Sequence, residues 1–463
     1  MKRFLQKYEQ KFYDPTAVDE STLLFSKDNL RALLIPLMLE QFLNSLMGMF
    51  DTVMVSNVGS AAISAVSLVD SVNTLIIQVF AALAAGGTII CSQYLGRGEK
   101  ENAIEAARQL LLVVAVLSLS ITVFCWCLNR PLLRLIFGSV EDDVMAGSVT
   151  YFAITLLSYP VFSLFSCGSA FFRAGGNSRF PMIISVIGNG MNIAGNALLI
   201  FVFDMGVAGA ALSTLASRIF CFIAVFVALR SEKNVICIRR YRTRPRWGTI
   251  KRILSISVPA GIENGMFQFG KLAIQSTVSI LPTYAIAAQA LTVIFEGLNG
   301  VAGVGVGLGL MTVVGQTLGA GRKEEAKYYI VKLTELSYLV VLVCCLAVFA
   351  IVKPVIWIAG LEPRSANLCF DMMIFITIAK PLVWSAAFTI PYGLKAAGDV
   401  RYTMIVSSLS MWIFRVIIVI ALIRAFGVGP IAVWIGMAID WTVRAIIFTI
   451  RFKGGKWLQH NVI

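Results

Sequence analysis

The chain has 463 residues, of which 58% are hydrophobic and only 14% charged, and its mean hydropathy is +0.82. A soluble protein carries about 45–50% apolar and about 25% charged residues, so a soluble fold of this length would lack the side chains to cover its surface. The net charge of +14 would suit nucleic acid only if the basic residues shared a folded polar face; they lie instead in short stretches between apolar runs, the pattern of membrane topology.

The first 29 residues are polar and do not read as a cleaved signal peptide. Apolar runs follow that predict twelve helices, at 30–58, 66–94, 105–128, 147–172, 181–204, 207–230, 251–280, 286–316, 327–352, 366–392, 401–426 and 429–452. Each can cross about 30 Å of hydrocarbon, and in lipid such a run must be helical because its backbone has to satisfy itself. The expected fold class is an all-α integral membrane protein with twelve transmembrane helices in two pseudo-symmetric six-helix lobes. Its parts are a cytoplasmic N-terminal segment 1–29, a first lobe 30–230, a basic cytoplasmic linker 231–250, a second lobe 251–452 and a cytoplasmic tail 453–463. With both termini in the cytoplasm, about 29 of the 39 Lys and Arg fall inside and about 5 outside, a bias that sets orientation. The expected location is the plasma (inner) membrane, as a multi-pass monomer.

The two halves repeat. Residues 93–103 read QYLGRGEKENA and residues 316–326 read QTLGAGRKEEA, 223 apart. The same separation aligns Pro36 with Pro259, Glu40 with Glu263 and Pro131 with Pro354, and a separation of 222 aligns Ala174, Gly176, Arg179 and Met182 with Ala396, Gly398, Arg401 and Met404. Six spans per half is an even number, so both copies enter the membrane from the same side, the parallel kind of repeat, with a binding site expected between the halves. Glycines crowd the second span of each half, Gly86 and Gly87 in one and Gly303, Gly305, Gly307 and Gly309 in the other; they suit close helix packing, with a bending point at 303–309 as the other reading.

The two Q-x-L-G-x-G segments, the Pro36…Asp51-Thr52 spacing of span one, and the order FFRAGGNSRFPM, NGMNIAGNALLI, MGVAGAALST through spans four to six resemble the multidrug and toxic compound extrusion (MATE) family of secondary transporters, over residues 30–452. The major facilitator superfamily also has two six-helix halves, but its Asp-Arg pair after span two is missing from Gly96-Arg-Gly-Glu-Lys100. Lipid-linked oligosaccharide flippases of the same wider superfamily usually have fourteen spans.

A charge near the bilayer centre costs at least about 2.5–3.5 kcal/mol and marks function by default. The candidates are Glu40, Asp51 and Asp70 in the first half and Glu263, Lys271, Glu296, Lys380, Arg415, Asp440 and Arg444 in the second. Asp51 is the leading one: no basic residue lies within a helical turn of it. A buried carboxylate can exchange protons or, among neutral oxygens, hold Na⁺. The resemblance implies a cation or proton-coupling site from Asp51, Asn192, Asn196 and Thr214, which would be the metal ligands if the ion is Na⁺. Many relatives have Asp where this chain has Asn196, a departure that favours H⁺. The plain alternative is helix packing through buried carboxyl and amide groups. Glu263, Lys271, Glu296, Lys380 and Arg415 are read as a second polar site or an equally plausible salt-bridge network; relatives often carry a carboxylate on span seven, but Glu263 comes one turn early. Asp440 and Arg444, spaced i,i+4, read as a simple pair.

Nine cysteines lack metal-ligand spacing, and the only histidine is His460 in the tail, so neither zinc, disulfides nor another cofactor is expected. No P-loop or H-E-x-x-H motif is present, which speaks against ATP drive within the chain and against an intramembrane enzyme. The expected function is an antiporter exporting amphipathic, cationic organic compounds in exchange for H⁺ or Na⁺ by alternating access. Pro36 would act as a hinge, and Met38, Met47, Met49, Phe50, Met266, Phe267 and Phe269 would offer adaptable walls. The expected partners are these small molecules, the coupling ion and the lipid bilayer, with no nucleic acid. The alternative is a transporter or flippase of another organic or lipid-linked substrate on a related fold.

Overall fold

The computed structural model describes residues 12–19, 21–56, 58–138, 141–241, 243–460 and 462–463; the side chains of Ala17, Met49, Asp51, Thr52, Val53, Ser56 and Ser60 lie outside the description. The long helices are α1 (Lys27–Ser56), α2 (Ser60–Gly96), α3 (Lys100–Cys127), α4 (Asp142–Ala174), α5 (Arg179–Val202), α6 (Gly206–Ala228), α7 (Trp247–Val278), α8 (Thr283–Gly319), α9 (Lys323–Ile358), α10 (Pro363–Ala396), α11 (Val400–Arg424) and α12 (Ile431–Lys453). They correspond one for one to the twelve predicted spans. By length and composition eleven can cross a membrane; the exception is α7, whose apolar run is interrupted by Glu263, Asn264, Gln268 and Lys271. Rows of exposed apolar residues such as Leu339, Val343 and Leu346 on α9 and Leu119, Val123 and Phe124 on α3 are the faces that lipid covers.

The repeat seen in the sequence is physical. In the first half α2 packs on α4, α4 on α6, α5 on α6 and α3 on α2 and α4; in the second, α8 packs on α10, α10 on α12, α11 on α12 and α9 on α8 and α10. The turns repeat as well. Gly98 (φ +83°) and Gly321 (φ +77°) close the α2–α3 and α8–α9 turns, a backbone region that glycine adopts without Cβ strain. Each fifth helix carries a π-helical segment, Ala197–Val202 in α5 and Met411–Ile417 in α11.

The chain packs as two compact units. One is Leu43–Gly261, here the N-terminal unit; the other joins the residues up to Phe42 with Ile262–Ile463, here the C-terminal unit. The units differ from the expected lobe boundaries at α1 and α7, each of which is divided between them, and the glycines supply the reason. A Cβ on Gly305 would lie 2.7 Å from the Met38 Cα, and one on Gly309 would overlap Leu34, so α8 takes the first half of α1 against its bare backbone. In the other unit Gly261 faces Ala82, and a Cβ on Gly86 would overlap Ser257. Gly303 and Gly307 admit Trp384 and Tyr392 in the same way. The α8 helix runs unbroken through 303–309, so the glycines serve packing there and the bending point is not seen. Pro36 is likewise inside a continuous α1.

Segments read as loops are docked. Between α3 and α4 lies a short helix, Asn129–Phe137, that ends at Gly138. The basic linker buries Ile236 and Ile238 and is pinned to α3 by Gln109, whose Nε2 donates to the Arg244 carbonyl (2.8 Å) and whose Oε1 accepts from the Arg246 N–H (2.9 Å). Ahead of α1, the Phe25 N–H donates to the Tyr329 hydroxyl (2.9 Å) and Leu24 N–H to Glu325 (2.6 Å). After α12, Trp457 is fully buried, and Asp399 accepts from Arg451 (2.8 Å) and lies 3.2 Å from His460 Nε2.

Candidate cation site and charged cluster

In the N-terminal unit, α5 and α6 bring three of the four expected cation-site residues together. Asn192 and Asn196 stand one turn apart, and the Asn196 amide donates to Asn192 Oδ1 (3.4 Å). The Asn192 amide donates to Thr214 Oγ1 (3.1 Å), which itself donates to the Ala210 carbonyl (3.0 Å). Ser213 adds a bond to the Asn192 carbonyl (2.8 Å); a Cβ on Gly195 would overlap Ser213, so glycine is what lets α6 come this near α5. Asn192 and Asn196 are buried.

Asp51 lies on α1, and its side chain is outside the description. Its level along the helix follows from a neighbour: Asn189 of α5 donates its amide to Asn44 Oδ1 of α1 (3.1 Å). As first and fifth spans, α1 and α5 run in the same direction across the bilayer. Seven residues, about two turns, beyond Asn44 is Asp51, and seven beyond Asn189 is Asn196. The backbone of Asp51 is therefore level with Asn196.

A second carboxylate in this unit has partners that sequence reasoning did not supply. Asp70 Oδ1 accepts from the Asn73 amide (3.1 Å) and the Tyr151 hydroxyl (3.3 Å), and Tyr159 donates to Asn73 Oδ1 (2.6 Å). Arg218 exerts its charge on Asp70 and donates to Ser158 Oγ (2.6 Å). The repeat offers the signal that could have found this network. Asn73 plus 223 is Glu296, and Ser158 plus 222 is Lys380, and those two residues form the central ion pair of the other unit.

In the C-terminal unit Lys380 Nζ sits 2.5 Å from Glu296 Oε1 and 2.7 Å from the Glu296 carbonyl. Lys380 is buried, between the rings of Trp384 and Trp441, and Gly300 makes room for its ammonium. The charges of Lys271 and Arg415 also act on Glu296. Lys271 Nζ lies 5.0 Å and Arg415 Cζ 5.5 Å from the centre of one ring, Phe267. Asp440 and Arg444 pair at 2.7 Å, with Ser410 donating to the same carboxylate oxygen (2.6 Å). Glu263 is separate: Lys395 holds it at 2.8 Å, and it is not among the charges acting on Glu296. The structure thus joins Lys271, Glu296, Lys380 and Arg415 and sets Glu263 apart. Of the residues expected as adaptable walls, Phe50 and Phe269 are exposed, Met47 is buried and Met49 has no described side chain.

The family model MatE matches twice, at residues 36–198 and 259–420. The chain belongs to the MatE family. The two matches start 223 residues apart (259 − 36), so the family's own pattern falls on the duplication read from the sequence. Among curated relatives, the chain is 26% identical to a probable multidrug resistance protein NorM of Thermotoga maritima, covering 93% of each, and 23% identical to an uncharacterized transporter YisQ of Bacillus subtilis, over 92% of this chain and 94% of the other. Among solved structures, a MATE protein in complex with MaL6 matches with a TM-score of 0.86 at 19% identity, covering 92% of this chain and 96% of that one. As a MATE family member this is a multi-pass membrane transporter with an all-helical fold.

Proposed function

We propose that this transporter is a multidrug exporter, a secondary antiporter that moves amphipathic, cationic organic compounds out of the cell in exchange for H⁺ or Na⁺. The observation that supports the coupling site is the Asn189–Asn44 bond, which ties α1 to α5 seven residues before Asp51 on one helix and seven before Asn196 on the other. A carboxylate beside neutral oxygens can take up either a proton or a weakly held Na⁺; with Asn at 196 the site has one such carboxylate, and less charge offsets the dehydration of Na⁺. The favoured ion is therefore H⁺. Uptake at Asp51 would alter the packing of α1, which belongs to both compact units and contains Pro36, a point where one backbone hydrogen bond is already missing. A ligand shifts such an equilibrium through its different affinity for the two states, so drug and ion need not touch. The multidrug names of the relatives support the breadth of substrate. On this reading the protein works in the plasma membrane as a monomer, with both termini cytoplasmic.

The test is purified protein in proteoliposomes, loaded with a fluorescent cationic dye and given pH and Na⁺ gradients separately. Dye movement that follows the pH gradient is the expected result. Movement indifferent to both gradients overturns antiport.

A further inference from the structure

The charged cluster of the C-terminal unit does not balance. Among the described residues Lys271, Lys380, Arg415 and Arg444 face Glu296 and Asp440, four cations to two anions. The pairs Lys380–Glu296 and Arg444–Asp440 are closed by 2.5 and 2.7 Å contacts. Lys271 and Arg415 remain, and among the described residues neither forms an ion pair within 4 Å. Arg415 is 2% exposed, its Nη1 meets only the Met411 thioether at 3.5 Å, and its Nε has no hydrogen-bond partner. A buried guanidinium with no carboxylate in direct contact is costly. Lys271, by contrast, is exposed at the edge of the packed core, with Arg415 behind it.

The seat is built by three features. Phe267 puts both cations against one ring, within 5.5 Å of its centre. Gly270 lets α7 approach the π-helical segment of α11, where a Cβ would stand 2.5 Å from the Met411 methyl. The π-helical segment itself is the stretch that carries Arg415. We propose that Lys271 and Arg415 hold the anionic group of the substrate, a carboxylate, sulfonate or phosphate on an amphipathic organic molecule. The surroundings select an organic anion over a bare inorganic one: the groups beside the two cations are an aromatic ring and a thioether, which replace none of the water a small anion would lose but pack against an organic body. The preferred substrates are accordingly zwitterions, carrying a cationic and an anionic group. The inference rests on the transport reading and narrows its substrate class.

Two dyes on one skeleton test it: rhodamine 110, a zwitterion with a free carboxylate, and rhodamine 123, its methyl ester and a cation. Binding to the full-length protein is followed by fluorescence anisotropy in nanodiscs of phosphatidylcholine. The expected result is about tenfold tighter binding of rhodamine 110, the order of one charge-assisted contact. Lys271→Met, checked to keep the wild-type thermal unfolding midpoint, removes the difference without moving rhodamine 123, and Lys271→Arg restores it. Equal affinity for the two dyes in the wild type, or equal weakening of both in Lys271→Met, overturns the proposal. Gradient-driven efflux of rhodamine 123 is measured in parallel. It depends on the transport reading alone, so the two can fail separately.

Discussion

Asn196 stands where a carboxylate would add a negative charge to the neutral α5–α6 network. Replacing it tests the choice of ion: Asn196→Asp should confer Na⁺-gradient-driven dye movement on a protein otherwise driven by pH, and a variant still blind to Na⁺ would contradict that role. At the other cluster, Glu296→Gln leaves Lys380 buried with a neutral partner. Removing one member of a buried pair destabilises by about 3–5 kcal/mol, so thermal unfolding in detergent should fall by several degrees and recover in part in Glu296→Gln/Lys380→Met. An unchanged midpoint would show that the pair carries no stability. The charges themselves were legible, because an ionised side chain in an apolar run stands out in any sequence. Their partners were not. Lys395 reaches Glu263 across 132 residues and Arg218 acts on Asp70 across 148, and only the fold decides such pairings. Lys271 and Glu263 share a face of α7 by spacing, yet Lys271 lies over Phe267 of its own helix, where α11 brings Arg415 to the same ring, while Lys395 of α10 takes Glu263.

Helix α8 is the element on which the C-terminal unit is assembled, since Gly300, Gly303, Gly305, Gly307 and Gly309 each meet a side chain or backbone at van der Waals distance or closer. Gly307→Ala would drive a Cβ into the Tyr392 ring and should cost about 1–3 kcal/mol, as overpacking does. Gly297→Ala, on the same helix with nothing within 4 Å, should be neutral or slightly stabilising through helix propensity. Thermal unfolding of the two variants measures the difference, and equal effects would contradict the packing role. Helix existence was readable from hydropathy because lipid leaves the backbone no alternative. What hydropathy missed is what does not cross: the short helix Asn129–Phe137, in which Arg130 and Arg134 break up a run too short to span, and the linker, where charge hides the two buried isoleucines. The π-helical segments also left no sequence mark, since they arise where a helix accommodates a neighbour; the one in α11 carries Arg415.

At the scale of the whole molecule, duplication is the strongest signal in the chain, and sequence, helix pairing, glycine turns and two family matches agree on it. The copies have since diverged in charge. The Asn192–Asn196–Thr214 network of the N-terminal unit is built of neutral amides and hydroxyls, with Arg218 of α6 turned instead to Ser158, whereas the C-terminal unit has placed Arg415 one residue past the counterpart of Asn192 (192 + 222 = 414). One unit thus gathers neutral oxygens at this level, and the other, among the described residues, an excess of positive charge. The division of α1 between the two units was invisible to any count of spans, because it depends on which backbone a glycine face receives. It also gives α1 its importance, as the helix that contains Pro36 and Asp51 and belongs to both units. The central claim is that Asp51 couples ion movement to substrate movement. Dye efflux from proteoliposomes under an imposed pH gradient, compared for wild type and Asp51→Asn at equal protein content and equal thermal stability, tests it most directly. Gradient-driven efflux in the wild type and gradient-independent movement or none in Asp51→Asn are the expected results; full coupled efflux by the folded variant would contradict a coupling role for Asp51.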